Sequence, residues 1–104
     1  MVIIGKMFLN KGYEKEYKKR HDELWPEMEK AILDHGLQEY YINLDTDNNI
    51  LYSFLKVDSA EKWEQLRNTR ICKKWWAYMS DIMETNDDGS PKFIKLTEVF
   101  QLSR

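Results

Sequence analysis

The segment Leu37-Gln38-Glu39-Tyr40-Tyr41-Ile42-Asn43-Leu44 is joined by Asp45-Thr46-Asp47-Asn48-Asn49 to the segment Ile50-Leu51-Tyr52-Ser53-Phe54-Leu55-Lys56-Val57. Both outer segments are rich in aliphatic and aromatic residues, which is typical of β-strands. The five residues between them are small polar types that favour a turn. This central part of the chain therefore predicts an antiparallel β-hairpin.

A long helical pattern precedes the hairpin. Between Tyr13 and His35 the large side chains recur in steps of three and four, which is the period of an amphipathic helix. Pro26 lacks a backbone donor and clashes with the preceding turn, so we expect a kink or a break near Asp22–Trp25. Gly36 suits the position just after a helix end.

Two shorter helical pieces follow the hairpin. Ser59 is placed to cap the first of them. A break is expected at Asn68-Thr69, and the second piece runs from about Ile71 to Met83. Asn86–Pro91 has the composition of a loop.

Strands are predicted at both ends of the chain, over Val2–Leu9 and Phe93–Leu102, and Asn10 offers a cap for the helix after the first strand. The resulting order, β-α-β followed by β-α-β, predicts an α+β fold of the ferredoxin-like, split βαβ type with an antiparallel sheet. We expect one domain spanning residues 1–104. Apolar side chains remain on the sheet face without helices, so a second copy is expected to cover it.

The composition argues against several classes of protein. The 104 residues carry 16 basic and 18 acidic side chains, so no basic excess points to nucleic acid. No apolar run approaches the roughly 20 residues of a membrane span, and the N-terminus lacks the pattern of a signal peptide. The single Cys72 excludes an intramolecular disulfide and a cysteine-based zinc site. These features predict a cytoplasmic protein.

His21 is the leading candidate for proton transfer. It lies four residues after Tyr17 on the apolar stripe of the first helix, and histidine titrates nearest neutrality. The alternative is a histidine at the core edge that is hydrogen-bonded to a backbone carbonyl. His35, in the last turn before Gly36, is interpreted as structural, and it lies too far along the helix to share a metal with His21.

Aromatic residues form a second group of candidates. In Cys72-Lys73-Lys74-Trp75-Trp76-Ala77-Tyr78-Met79 the adjacent tryptophans point about 100° apart on a helix, so one buried stripe cannot easily take both. An indole facing a cleft could stack on the apolar face of a sugar. Tyr17 and Tyr40 have hydroxyls that either bind a ligand or belong to the core.

Other motifs are absent or incomplete. Asp45–Asn49 lacks the glycine and the distal glutamate of a calcium loop and is interpreted as a turn. Nothing near Cys72 activates it as a nucleophile. The chain has no glycine-rich phosphate loop and no nucleophile elbow.

Several segments resemble the L-rhamnose mutarotase family: Tyr17-Lys18-Lys19-Arg20-His21, Leu24-Trp25-Pro26-Glu27-Met28-Glu29, His35-Gly36 through Tyr40 to Leu44-Asp45, Cys72 to Met79, Asn86 to Pro91, and Glu98-Val99-Phe100. The resemblance covers nearly the whole chain. It implies a ferredoxin-like homodimer, described as a dimeric α/β barrel. It also implies an isomerase of the racemase and epimerase class, which interconverts the anomers of L-rhamnose without a metal or organic cofactor.

The resemblance also implies roles for individual residues. The family's proton donor falls on His21, and its sugar-binding positions fall on Tyr17, Tyr40, Trp75 and Trp76. Neighbouring positions, such as Asp22 and Glu39, differ more freely.

Mutarotation needs an acid for the ring oxygen and a base for the anomeric hydroxyl. We expect His21 to donate to the ring oxygen. The base stays open between Tyr17, Asp22 and a water molecule. Two alternatives stay open: a cofactor-free or haem-using monooxygenase, since such proteins share this dimeric fold, and a non-catalytic sensor of a sugar or small ligand, or a purely structural dimer.

Overall fold

The structure is a computed structural model that describes all residues from Met1 to Arg104. Its elements are β1 (Val2–Phe8), α1 (Glu14–Asp22), α2 (Pro26–Asp34), β2 (Leu37–Asp45), β3 (Ile50–Val57), α3 (Ala60–Glu64), a 3₁₀ turn (Gln65–Asn68), α4 (Arg70–Met79) and β4 (Ile94–Lys95). None of the helices combines the length and the apolar composition that crossing a membrane requires.

The four strands form one antiparallel sheet in the order β2-β3-β1-β4. This is the arrangement expected of the ferredoxin-like α+β fold, and the central hairpin is confirmed. Tyr40 pairs with Leu55 and Tyr41 with Phe54, so Tyr40 and Tyr41 lie on opposite faces of the sheet. Asn49 closes the hairpin turn in the left-handed conformation, at φ 55°.

The break in the first helical segment is confirmed, and Pro26 explains it. Pro26 is the first residue of α2, where its missing N–H costs nothing. The residue before a proline favours extended backbone, and Trp25 has a ψ of 132°. Gly36, at φ 90°, ends α2 as predicted.

Two predicted helix boundaries are wrong. Asn10 does not cap α1, because its carbonyl instead accepts a turn hydrogen bond from the N–H of Tyr13, 3.3 Å away. The last helix ends at Met79 rather than Met83. Met83 is drawn out of the helix because it forms a β-bridge with Leu9 at the end of β1.

The predicted last strand, Phe93–Leu102, is also wrong, because β4 contains only Ile94 and Lys95. Beyond it the N–H of Leu96 still donates to the carbonyl of Ile4 at 2.8 Å. From residue 96 onward the chain has no strand pairing. Its apolar side chains are exposed, with Val99 at 92% and Phe100 at 79%.

The core lies between the helices and one face of the sheet. Its most enclosed side chains are Ile82 and Val57 at 0% exposure and Leu51 at 1%. The core cluster also includes two of the predicted site residues, Tyr17 and Trp75. The predicted site therefore shares two of its residues with the core.

Because Gly5 has no side chain, it leaves room on β1 for an aromatic ring. It pairs with Ser53 and Lys95, and a Cβ at this position would overlap the ring of Phe93. We therefore expect Gly5→Val to destabilise the protein by about 1–3 kcal/mol through overpacking. Urea unfolding measures this loss. The double variant Gly5→Val/Phe93→Ala should recover part of it relative to Phe93→Ala, and an equal loss in both backgrounds would contradict the explanation.

Candidate active site

A cavity of about 1430 Å³ opens between the helices and the inner face of the sheet. All five residues predicted for the site line it: Tyr17, His21, Tyr40, Trp75 and Trp76. They come from α1, β2 and α4. The fold thus brings together side chains that are up to 59 positions apart in the sequence, from 17 to 76.

The His21 imidazole is held by two aromatic neighbours. It stacks on Tyr17, with ring centroids 4.3 Å apart and planes at 27°, and it meets Trp75 edge-on at 5.5 Å and 86°. Its Nδ1 lies 3.0 Å from the carbonyl oxygen of Tyr17. Because a carbonyl can only accept, Nδ1 carries a hydrogen and Nε2 is left for proton transfer.

The same surroundings control the charge of His21. Burial lowers the pKa of the imidazole below 6.5, and this effect outweighs the hydrogen bond to the Tyr17 carbonyl and the charge of Asp22. The neutral form therefore predominates at pH 7. The hydrogen bond to a backbone carbonyl is confirmed. His21 also lines the cavity, and its role in proton transfer stays a prediction.

Two tyrosine hydroxyls face the cavity. Burial raises the pKa of Tyr17 far above its usual value, and the nearby Tyr40 raises it further. Tyr40 is 37% exposed as a residue, yet burial raises the pKa of its hydroxyl to about 12, so the hydroxyl end is the enclosed part. Neither hydroxyl bonds a protein group. Among buried and half-buried residues no fully enclosed polar side-chain atom lacks a partner, so the Tyr17 oxygen keeps some exposure. Both phenols are protonated at neutral pH.

The two tryptophans have different environments. Trp75 is 7% exposed and belongs to the core cluster. Its ring meets Trp25 edge-on at 5.0 Å and 88°. Trp76 is partly buried, and the guanidinium of Arg67 lies 5.7 Å from its ring centroid. The 100° step along α4 therefore puts one indole into the core and leaves the other at the border of the cavity.

Arg20 is a supporting residue that the sequence analysis missed. Its guanidinium donates to Glu16 at 2.8 Å, to the carbonyl of Tyr78 at 2.7 Å and to Asp81 at 2.9 Å. It also lies 4.2 Å from the ring centroid of Tyr78, which stacks on Trp25. Arg20 thus ties α1, beside His21, to the end of α4. The Glu16–Arg20 spacing of four residues was the only local signal of this role.

We expect Arg20→Met to lower the free energy of unfolding by about 1.5–3 kcal/mol, the range for hydrogen bonds to charged groups. Thermal or urea unfolding measures this. Lys30→Met is the matched control, because the Lys30–Asp34 pair is exposed, with side chains at 76% and 58%, and such pairs contribute little. Equal losses in the two variants would contradict the bridging role of Arg20.

Three other residues that the sequence analysis considered, His35, Cys72 and Asp45, have structural surroundings that agree with its interpretation of them. His35 Nδ1 bonds the carbonyl of Ala31 at 2.6 Å, as a structural histidine would. Burial raises the pKa of the Cys72 thiol to about 11, so it is not a nucleophile at neutral pH. Asp45 accepts from the N–H of Asp47 and the amide of Asn48, which agrees with a turn.

The fold is shared with proteins of very different sequence. A Bordetella bronchiseptica structure, named as a candidate antibiotic biosynthesis monooxygenase, has a TM-score of 0.68 at 10% identity and covers 95% of this chain and 96% of its own. At this identity the likeness concerns the fold alone, so it does not favour the monooxygenase alternative.

Closer comparisons agree on one family. The family profile described as L-rhamnose mutarotase matches residues 3–102. A protein from Lachnoclostridium phytofermentans with that name is 52% identical over 97 residues, which are 93% of each chain. The crystal structure of an L-rhamnose mutarotase from Formosa agariphila has a TM-score of 0.90 at 45% identity over 99% of each chain. This chain belongs to the L-rhamnose mutarotase family.

Proposed function

We propose that this protein interconverts the α and β anomers of L-rhamnose, with His21 transferring the proton and Tyr17, Tyr40, Trp75 and Trp76 binding the sugar. The observation that carries the proposal is the free Nε2 of His21, next to two protonated phenols and an indole in one cavity. Family membership supplies the substrate. The aromatic walls suit the apolar faces of a sugar, including its 6-deoxy methyl group.

The reaction moves one proton. In ring opening, the anomeric hydroxyl loses its proton, the C1–O1 bond becomes a carbonyl, the C1–O5 bond breaks, and O5 gains a proton. The open aldehyde rotates about C1–C2 and the ring closes on the other face. No proton or electron is lost, so a single group that accepts and returns a proton suffices.

We assign both transfers to His21 Nε2. The neutral imidazole accepts the proton of the anomeric hydroxyl and, as the imidazolium, donates it to the ring oxygen; ring closure reverses the order. This keeps the proton-donor role and removes the need for a separate base. Tyr17 is a poor base because its pKa is raised, and the Asp22 carboxylate is 61% exposed and paired with Lys18 at 2.8 Å.

The direct test is anomer exchange of L-rhamnose, followed by saturation-transfer NMR. Wild type should speed the exchange well above the buffer rate, and a wild type without effect would end the proposal. The same protein titrated with haem should give no Soret shift, whereas specific haem binding with no exchange would favour the monooxygenase alternative.

The proton relay predicts a particular pH profile. Because the active form is neutral and the pKa of His21 is lowered from 6.5, kcat/KM should fall only on the acid side, with a midpoint below 6.5. Both tyrosines stay protonated, so no loss is expected up to pH 9. The rate must be corrected for buffer catalysis at each pH. A bell-shaped profile would instead require a second titrating group and contradict the relay.

We also propose that the protein works as a homodimer of this single domain. The sheet face away from the helices carries a row formed by Tyr41, Phe54, Ile4 and Leu96. Of these, Tyr41 is 55% and Ile4 40% exposed. An apolar face of this kind is typically covered by a partner. The exposed chain end, with Val99 and Phe100, adds further apolar surface.

Light scattering coupled to size-exclusion chromatography tests the dimer. Wild type should elute with twice the mass of one chain, and Ile4→Lys should shift it towards the monomer. Leu33→Lys, at an exposed apolar position on α2 (57%), is the control and should stay dimeric. A monomeric wild type at micromolar concentration would contradict this part of the proposal.

A further inference from the structure

Ser53 is a polar residue in an apolar row. It lies on β3 between Leu51 and Leu55, which point to the same inner face of the sheet. Its cross-strand neighbours are Ile42 on β2 and Gly5 on β1. Serine at the centre of such a row contributes less to a core than alanine or valine would, because its hydroxyl must be desolvated.

The Ser53 hydroxyl has no partner in the protein. The residue is 2% exposed, and none of the side-chain hydrogen bonds of the structure involves it. Fully enclosed polar side-chain atoms all have partners, so the remaining exposure of Ser53 lies at its oxygen. Since Ser53 lines the cavity, that oxygen opens on the cavity floor. Buried hydroxyls are normally bonded, and an exception calls for an explanation.

Ser53 also lies close to the other unpartnered hydroxyls. Tyr40 pairs with Leu55, two residues along β3, so Tyr40 and Ser53 are diagonal neighbours on one face, roughly 7–8 Å apart at their backbones. Tyr17 and His21 approach the same cavity from α1. The cavity therefore presents hydroxyls from the sheet and from the helices, on opposite sides of any bound molecule.

We propose that Ser53 is a specificity-determining residue that hydrogen-bonds one ring hydroxyl of the sugar from the sheet side. The inference rests on the proposed function and adds a residue to its binding set. A serine hydroxyl both donates and accepts, so it matches a sugar hydroxyl, which does the same. A sugar lacking that hydroxyl leaves Ser53 unpaired and is bound less well.

The first experiment compares wild type, Ser53→Ala and Ser80→Ala in exchange kinetics with L-rhamnose. Ser53→Ala should lower kcat/KM about tenfold, the value of one neutral hydrogen bond, and should leave Tm equal or higher, because no protein bond is lost. Ser80→Ala loses a bond to the Ala77 carbonyl and should keep wild-type kinetics. Unchanged kinetics for Ser53→Ala would overturn the inference, as would a marked fall in its Tm.

The second experiment uses 2-, 3- and 4-deoxy analogues of L-rhamnose as probes. For one analogue, kcat/KM with wild type should be about tenfold lower than kcat/KM for L-rhamnose. With Ser53→Ala, that analogue and L-rhamnose should have equal kcat/KM, because each change removes the same bond. Additive losses with all three analogues would overturn the inference. An inactive wild type would instead count against the proposed function, so the two failures are distinguishable.

Discussion

Replacing His21 with alanine is expected to lower kcat/KM for anomer exchange by about 10²–10⁴-fold, the usual contribution of a positioned acid or base. The reason for this expectation is that the imidazole is neutral at pH 7 and its Nε2 has no partner in the protein, so it is free to accept a proton. Its orientation is set by the bond from Nδ1 to the Tyr17 carbonyl and by contacts with Tyr17 and Trp75. Saturation-transfer NMR at a fixed sugar concentration measures the loss.

His35→Ala is the matched control for this substitution. His35 makes the same kind of bond, from Nδ1 to the carbonyl four residues earlier, but it does not line the cavity. It should keep wild-type kcat/KM. A second variant, His21→Gln, can still donate to the Tyr17 carbonyl but cannot relay a proton. Full activity in His21→Gln would refute the proton relay while leaving family membership untouched.

Trp75→Ala is expected to destabilise the protein by about 3–5 kcal/mol, as truncating a buried tryptophan usually does. Trp75 is 7% exposed and lies within the core cluster. It also contacts His21 and Trp25, so its loss removes support from the His21 imidazole. Urea unfolding gives the free energy, and activity is measured only where the variant is folded.

Trp76→Ala should behave in the opposite way. Its ring is partly buried at the cavity border, so the substitution should lower the free energy of unfolding by about 1 kcal/mol. The loss of an aromatic contact, about 0.5–1.5 kcal/mol, should appear in kcat/KM as a fall of up to about tenfold. If Trp76→Ala destabilised as much as Trp75→Ala, the distinction between Trp75 in the core and Trp76 at the cavity border would be wrong.

The local elements were predictable because their signals lie within a few residues. Pro26 defines the start of α2, Gly36 ends it, and Ser59 caps α3 with a bond from the N–H of Lys62. The hairpin strand Ile50–Val57 has the predicted bounds. The boundaries that failed depend on distant partners instead. Met83 leaves the helical path to bridge Leu9, and the last strand pairs with β1 only at Gly5 and Lys6.

The sequence by itself determined the order of elements and, through the resemblance of its motifs, the family and five of the residues that line the cavity, because periodicity, turn chemistry and motif spacing are local properties of the chain. Only the tertiary structure decided which atom of His21 is free, which indole is buried, what Arg20 holds together and that Ser53 has no partner. These facts depend on burial and on hydrogen bonds between residues far apart in sequence. The same burial lowers the pKa of His21, so the fold increases the neutral fraction of the imidazole at pH 7.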